Sequence, residues 1–260
     1  MPRAVRRSPM TSSRPSGSNP SRAGRIALVT GAGRRLGRAL AVALGGRGMR
    51  VAVHFHEAQQ GADETARQVR AAGGEAITLR ADLRRAGAPE QLVSEVVSRF
   101  GGLDVLVNSA AVMIRTPIED VTEPVWDDIF ALNLRAPFFC AKAAAARMTE
   151  GGVIINIADL AAFEAWTGYI PHGASKAGVV HITRALAKRL APRIRVNAVA
   201  PGAVLLPDDW SADDAERLTS TTPLGRLGSP DDVTRAVLYL IDADYVTGET
   251  LVVDGGRHVR

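Results

Sequence analysis

Short, continuous apolar runs alternate along the chain with longer stretches in which apolar residues recur every three to four positions. The runs, such as Ile26-Ala27-Leu28-Val29 and Val153-Ile154-Ile155, predict strands at 26–30, 50–54, 76–80, 103–107, 152–157, 194–199 and 250–253. The periodic stretches predict helices near 36–47, 59–72, 88–100, 123–148, 172–191 and 230–242. A strand that is apolar on both faces must be covered on both, and the strand–helix alternation supplies that cover through a parallel sheet between two helical layers.

The expected fold class is α/β, a Rossmann-type doubly wound sheet of seven parallel strands with helices on both faces. Ligands of such sheets lie beyond the carboxyl ends of the strands, near the reversal in strand order. The residues that follow the predicted strands are small, polar or turn-forming: Thr30 to Gly37, His54 to Glu57, Ala81 to Leu83, Asn108 to Ala111, Ala158-Asp159 and Pro201-Gly202. The first set, Thr30-Gly31-Ala32-Gly33-Arg34-Arg35-Leu36-Gly37, sits between an apolar strand and a helical stretch and reads as a phosphate cradle. Glycines let the backbone approach a pyrophosphate, whose charge meets free N–H groups and the helix dipole. Their spacing departs from the strict G-x-G-x-x-G form, so the other strand ends carry part of the argument.

The length of 260 residues and a hydrophobic content of 46% suit a single dinucleotide-binding domain over residues 25–260. A formal charge of +5 suggests a polyanionic partner until its position is considered. Arg3, Arg6, Arg7, Arg14 and Arg22, with no acid among residues 1–24, account for all of it. The remainder is neutral, and nucleic acid is not an expected partner. Residues 1–24, rich in Ser, Pro, Arg and Gly, are expected to form a disordered basic tail. No apolar segment follows Arg6-Arg7 before Gly24, which argues against an export signal, and a true start at Met10 would explain the segment equally well. No apolar run approaches the roughly 18 residues of a membrane span, so no membrane partner is expected. The one cysteine, Cys140, lies in a helical run and reads as a buried thiol in a reducing cytoplasm.

Taken together, the motifs resemble the short-chain dehydrogenase/reductase family across about residues 24 to 257. The matches are Thr30-Gly31 through Leu36-Gly37, Asp82-Leu83, Asn108-Ser109-Ala110, Asn133 in Ala-Leu-Asn-Leu, Ser175-Lys176-Ala177-Gly178, Arg195 through Gly202, Val246-Thr247-Gly248 and Val253-Asp254-Gly255-Gly256. Within the family the chain is most similar to the pteridine reductase branch. That branch carries a basic pair before Leu-Gly, as in Arg34-Arg35-Leu36-Gly37, and a His-aromatic-His stretch, as in His54-Phe55-His56. It also has an aspartate where most relatives have a catalytic serine, and Asp159 stands there.

An acid at the end of the second strand pairs with the ribose hydroxyls of NAD, whereas arginine suits the 2′-phosphate of NADP. Arg34 and Arg35 supply positive charge and His54 and His56 can donate hydrogen bonds, but Glu57 would repel a phosphate unless it turns to solvent. NADP(H) is favoured, with NAD(H) as the alternative. The resemblance implies that Gly31, Leu36 and Gly37 shape the cradle, that Asp82 and Leu83 hold the adenine, and that Asn108 and Ala110 run along the cofactor's middle. It further implies a cofactor contact from Lys176 and closure over the nicotinamide side by Pro201, Gly202 and Val204. His54-x-His56 lacks a nearby third ligand, and no metal site is expected.

Family members reduce a carbonyl or imine with a tyrosine that donates a proton, made more acidic by a lysine four residues later. Here His172 stands at the tyrosine position before Lys176. A lysine cation stabilises a phenolate but destabilises an imidazolium. An imidazole nitrogen also falls short of the phenol oxygen's reach by roughly 2 Å, a gap that water could fill. Asp159 offers compensation, because a carboxylate near His172 favours the charged ring. The expected constellation is an Asp159–His172–Lys176 relay, with Asn133 holding water behind the lysine as its family counterpart does.

Tyr169, Met113 and Trp210 are read as substrate-pocket residues, Met113 standing where pteridine reductases stack an aromatic ring on the pterin. The acidic stretch 204–224 reads as a mobile lid. The expected function is NADP(H)-dependent reduction of a carbonyl or imine in a small substrate, pterin-like or otherwise. The alternatives are a redox-inactive NADP(H)-binding sensor or interaction protein, and a lyase or isomerase using His172 as base. The resemblance also implies a cytoplasmic homotetramer joined through the helices at 123–148 and 172–191 and the C-terminal strand.

Overall fold

A computed structural model describes residues 24–206 and 211–259. The expected tail therefore lies outside the described residues except for Gly24, and so does Trp210. Strands β1 (Ile26–Val29), β2 (Arg50–Phe55), β3 (Glu75–Arg80), β4 (Val105–Asn108), β5 (Gly152–Ile157), β6 (Ile194–Pro201) and β7 (Thr250–Val253) pair in the order β3-β2-β1-β4-β5-β6-β7. Every pairing is parallel. The helices are α1 (Arg35–Gly45), α2 (Gln59–Ala71), α3 (Ala88–Phe100), α4 (Glu123–Phe130), α5 (Ala136–Arg147), α6 (Ile170–Leu190), α7 (Ala212–Ser220) and α8 (Pro230–Asp242). The seven strands lie where the apolar runs predicted them. The single helix predicted over 123–148 is instead two α-helices joined by a π turn, Ala131–Arg135.

The continuous apolar runs have a direct structural cause. Along β1, Ala27 and Val29 enter one buried layer with Leu40, Leu44, Val233 and Val237, while Ile26 and Leu28 enter the other with Leu92, Val96, Ala141 and Ala144. Alternate residues thus point to opposite layers, and both layers are buried. Each fully buried aliphatic side chain of this kind stabilises the fold by about 1.5–3 kcal/mol. The stretch Glu123–Arg147 is long and apolar enough to cross a membrane by length and composition, but half of its most apolar window is buried within the fold. Cys140 lies in the same packed face, where burial pushes its thiol up to about 12 and makes it a poor nucleophile.

Strand order reverses between β1 and β4, and the crevice between their carboxyl ends is where the glycine turn lies. Farther along the sheet, motif residues Arg195 and Asn197 act in structure rather than at the crevice. Arg195 donates to the Leu240 and Ile241 carbonyls at 2.7 and 2.8 Å, closing the end of α8. Asn197 donates to the Val246 carbonyl and accepts the Glu249 N–H, holding the turn that enters β7.

Candidate functional site

Thr30 ends the first apolar run, and its Oγ1 accepts the N–H groups of Ser109 and Ala110 at 2.9 and 3.0 Å, tying the glycine turn to the end of β4. Gly31 adopts φ +67°, and a Cβ there would lie 2.8 Å from the Ala110 Cα. A Cβ on Gly37 would lie 2.2 Å from the Gly31 carbonyl oxygen. The protein's own backbone therefore requires these two glycines, independently of any ligand. Leu36 anchors the turn in the apolar layer below. Among the described residues the Arg34 side chain makes no cap at the start of α1 and no acid lies in its first turn, so the positive end of the helix dipole is left uncompensated there. A tight glycine turn that ends at a helix start with no side-chain cap and no acid in its first turn fits the pyrophosphate of a dinucleotide.

The two histidines after β2 have different fates. His54 is 2% exposed, with Nδ1 accepting the Gly31 N–H at 3.0 Å and Nε2 3.1 Å from the Ala81 carbonyl. A backbone N–H can only donate and a carbonyl can only accept, so the ring is neutral and carries its proton on Nε2. Burial pushes its pKa down to about 4. His54, expected to offer a hydrogen bond to a phosphate, instead braces the glycine turn against the end of β3. His56 stays half-buried, 4.0 Å from Asp82 Oδ2 and 3.8 Å from Glu57 Oε1. Glu57 is 85% exposed and turns away to solvent.

Arg34 is exposed. Arg35 has φ +51° and donates through Nη2 to the Leu205 and Leu206 carbonyls at 2.9 and 3.1 Å, linking the turn to the start of the expected lid. Asp82 Oδ1 accepts the Arg84 N–H at 3.1 Å. Leu83 and Asn108 turn their side chains into the interior, where Asn108 donates to Asn156 Oδ1 at 2.9 Å. These two can meet a ligand only through backbone. Ala110 lies against Gly31, Gly202 donates its N–H to the Val253 carbonyl, and buried Pro201 and half-buried Val204 flank it.

The third cluster gathers on the π turn, the end of β5 and the first turns of α6. His172 is 2% exposed, with Nδ1 3.2 Å from the Val112 carbonyl. Its Nε2 is buried without a hydrogen-bond partner and lies 3.6 Å from Asp159 Oδ2. Asp159 is 22% exposed and accepts the Ala161 N–H through Oδ1 at 2.8 Å. Asn133, expected to hold a water behind Lys176, has its side-chain amide engaged with the Val112 backbone. It accepts the N–H at 2.9 Å and donates to the carbonyl at 2.8 Å. The same amide nitrogen lies 3.3 Å from Ser175 Oγ and 3.4 Å from His172 Nδ1, and Ser175 donates to the His172 carbonyl at 2.6 Å.

Lys176 lies on the same helix face as His172, 4% exposed, and donates one hydrogen bond to the Ile157 carbonyl at 2.8 Å. Burial pushes its pKa down to about 8, partly opposed by Asp159. An ammonium group has three N–H donors, so this buried one retains capacity for a polar ligand. At the mouth, Met113 is 45% exposed, and half-buried Tyr169 packs edge-on to Trp166 with centroids 6.3 Å apart. Val112 had no signal in the sequence because it acts through its carbonyl. Thr30 and Ser175 lay inside quoted motifs without a stated role.

A family model described as Enoyl-(Acyl carrier protein) reductase matches residues 31–258. A 3-oxoacyl-[acyl-carrier-protein] reductase from Synechocystis sp. is 38% identical over 242 residues, covering 89% of this chain and 96% of that protein. Among solved structures, a Sinorhizobium meliloti 1021 protein assigned as a short-chain alcohol dehydrogenase superposes with TM-score 0.87 at 36% identity, over 91% of this chain and 97% of that one. A promiscuous reductase, LugOII, which catalyses keto-reduction at C1 during lugdunomycin biosynthesis, gives TM-score 0.84 at 35% identity, over 92% and 99% of the two chains.

Proposed function

The chain belongs to the short-chain dehydrogenase/reductase family of oxidoreductases, and from that membership we propose that it is an NADP(H)-dependent carbonyl reductase whose reactive groups are Asn133, Asp159, His172 and Lys176. The observation that carries this reading is the buried His172 ring 3.6 Å from Asp159, on the helix face that also bears Lys176. When bound, NADPH supplies a hydride to the carbonyl carbon while the C=O π pair moves to oxygen, which then takes one proton.

Gly31, Leu36, Gly37 and the start of α1 would hold the pyrophosphate, and Asp82 with the backbone of Leu83, Asn108 and Ala110 the adenosine side. Pro201, Gly202 and Val204 would flank the nicotinamide, and Lys176 would meet ribose hydroxyls. Exposed Arg34 and half-buried His56 are the groups we assign to the 2′-phosphate, and the outward turn of Glu57 removes the opposing charge. Arg34→Ala is expected to weaken NADPH binding about tenfold, the loss of one charge-assisted hydrogen bond, while leaving NADH binding unchanged. Titration by fluorescence checks this, and equal weakening of both cofactors would remove Arg34 from the assignment.

A ketone is the substrate class we favour, in line with the keto-reduction named for LugOII and the 3-oxoacyl substrate in the Synechocystis protein's name. A pterin is the second reading, favoured by the carboxylate of Asp159 in the site; Met113 offers an apolar contact there but no ring. NADPH consumption with a 3-oxoacyl thioester, an aromatic ketone and a dihydropterin separates the two. Turnover of the dihydropterin alone would reverse their order, and turnover of none would sink the reductase reading.

We also infer a cytoplasmic homotetramer. The assembly is supported by a groove on the α4–α5 and α6 surface that is lined by Phe130, Leu134, Phe138, Phe139 and Ile182 together with Asp127, Asp128 and Arg135, where Phe138 and Phe139 are 37% and 43% exposed. Light scattering is expected to give the mass of four chains, and the mass of one chain would overturn the inference.

A further inference from the structure

Among family members the residue at position 172 is a tyrosine that reaches the substrate directly, but this histidine has no open path to one. Its Nε2 is buried and, among the described residues, makes no hydrogen bond; Asp159 Oδ2 lies 3.6 Å away on a carboxylate that is itself 22% exposed. The imidazole falls short of a phenol's reach by roughly 2 Å, and the partly exposed Asp159 carboxylate lies beside its buried nitrogen. The other ring nitrogen is equally constrained. Val112 presents a carbonyl to Nδ1 at 3.2 Å and the Asn133 amide nitrogen lies 3.4 Å from that ring nitrogen, while both polar groups of the Val112 backbone are clamped by Asn133 at 2.9 and 2.8 Å. When the ring is charged, Nδ1 donates to that carbonyl, and Nε2 is the nitrogen that exchanges a proton with Asp159.

We propose that Asp159 hands the proton to the substrate oxygen and that His172 is a positioning residue behind it, held in place by the Asn133–Val112 clamp. The inference rests on the carbonyl-reductase reading above. In the proton step one proton passes from Nε2 of the charged His172 ring to the Asp159 carboxylate and on to the substrate oxygen, which leaves the carboxylate ionised. The ring is left neutral with its Nδ1–H on Val112, and solvent reprotonates the pair through the exposed edge of Asp159. Lys176 is the cation that shares this pocket, directed at the Ile157 carbonyl.

Two measurements test the proposal. In the cofactor-free protein, long-range proton–nitrogen NMR of His172 should show Nδ1 protonated and an Nε2 resonance that moves on Asp159→Asn; a bare Nδ1 would overturn the clamp, whatever the activity. In the active protein, Asp159→Ala should lose about 100-fold in kcat with KM and NADPH affinity unchanged, and formate should restore the rate in proportion to its concentration. Imidazole should not restore His172→Ala, because that space is enclosed. Rescue by imidazole there, with no formate effect on Asp159→Ala, would make His172 the direct donor. Asp159→Asn, which keeps an acceptor for the Ala161 N–H, serves if the alanine variant does not fold. Loss of all NADPH-dependent turnover in the wild type would defeat the functional reading and leave the NMR result to decide the order of the pair.

Discussion

Lowering the pH from neutrality to about 4 is expected to remove about 3 kcal/mol of folding stability through His54 alone. In the unfolded chain this histidine titrates at its ordinary value, 6.5; in the folded chain burial holds it neutral down to about 4. Between those values the unfolded state binds more protons than the folded one, so stability falls by about 1.4 kcal/mol for each pH unit downward. The contribution is complete above pH 6.5 and gone below about 4. Protonation would also remove the lone pair that accepts the Gly31 N–H, so the glycine turn loosens as the ring charges. Asp232, held well below the usual carboxylate range chiefly by its hydrogen bond from Arg226, loses its contribution at lower pH and does not confuse the window. Urea midpoints measured across this range should fall steeply for the wild type and much less for His54→Gln, which starts less stable but cannot take up the proton. Parallel curves would show that His54 is not the group responsible.

His54 also marks where the sequence ceased to be informative. The strands were legible because β1, β2, β4 and β5 are buried on both faces, which leaves a mark that a single sequence carries. Two histidines at an interval of two would share a side in an unbroken strand, but β2 ends at Phe55 and the period breaks between them. One ring entered the fold and the other stayed at the surface, and composition gives no sign of which. The π turn was hidden for a related reason. One extra residue in the helical turn hardly disturbs an apolar pattern that continues from α4 into α5. The residues of the reactive cluster could be named from motifs, but their order could not. Thirteen positions separate Asp159 from His172, and the spacing says nothing of which lies nearer the cleft. That depends on the enclosure of Nε2 and on the Val112 carbonyl, a backbone group with no side-chain signature.

Replacing Lys176 with methionine is expected to yield a protein that is more stable and at least about 1,000-fold less active in kcat/KM. The ammonium is pushed down to about 8 by burial, against 10.5 in the unfolded chain. Between those values the unfolded state again holds more protons, so stability is greatest above pH 10.5 and falls as the pH drops through 8. At neutral pH the folded protein therefore carries a charged lysine at a cost of about 3 kcal/mol, which a methionine of similar length would relieve. Lys176 satisfies one of its three donors on Ile157, so the remaining capacity is useful only once a ligand with acceptor oxygens enters. Thermal unfolding without cofactor should place Lys176→Met above the wild type near pH 7, and adding NADPH should narrow or reverse the gap. A variant that is both less stable and fully active would mean that the buried ammonium serves the fold rather than the ligand. The expected pairing, higher stability with lost activity, follows from a site that holds a charge in place before its partner arrives.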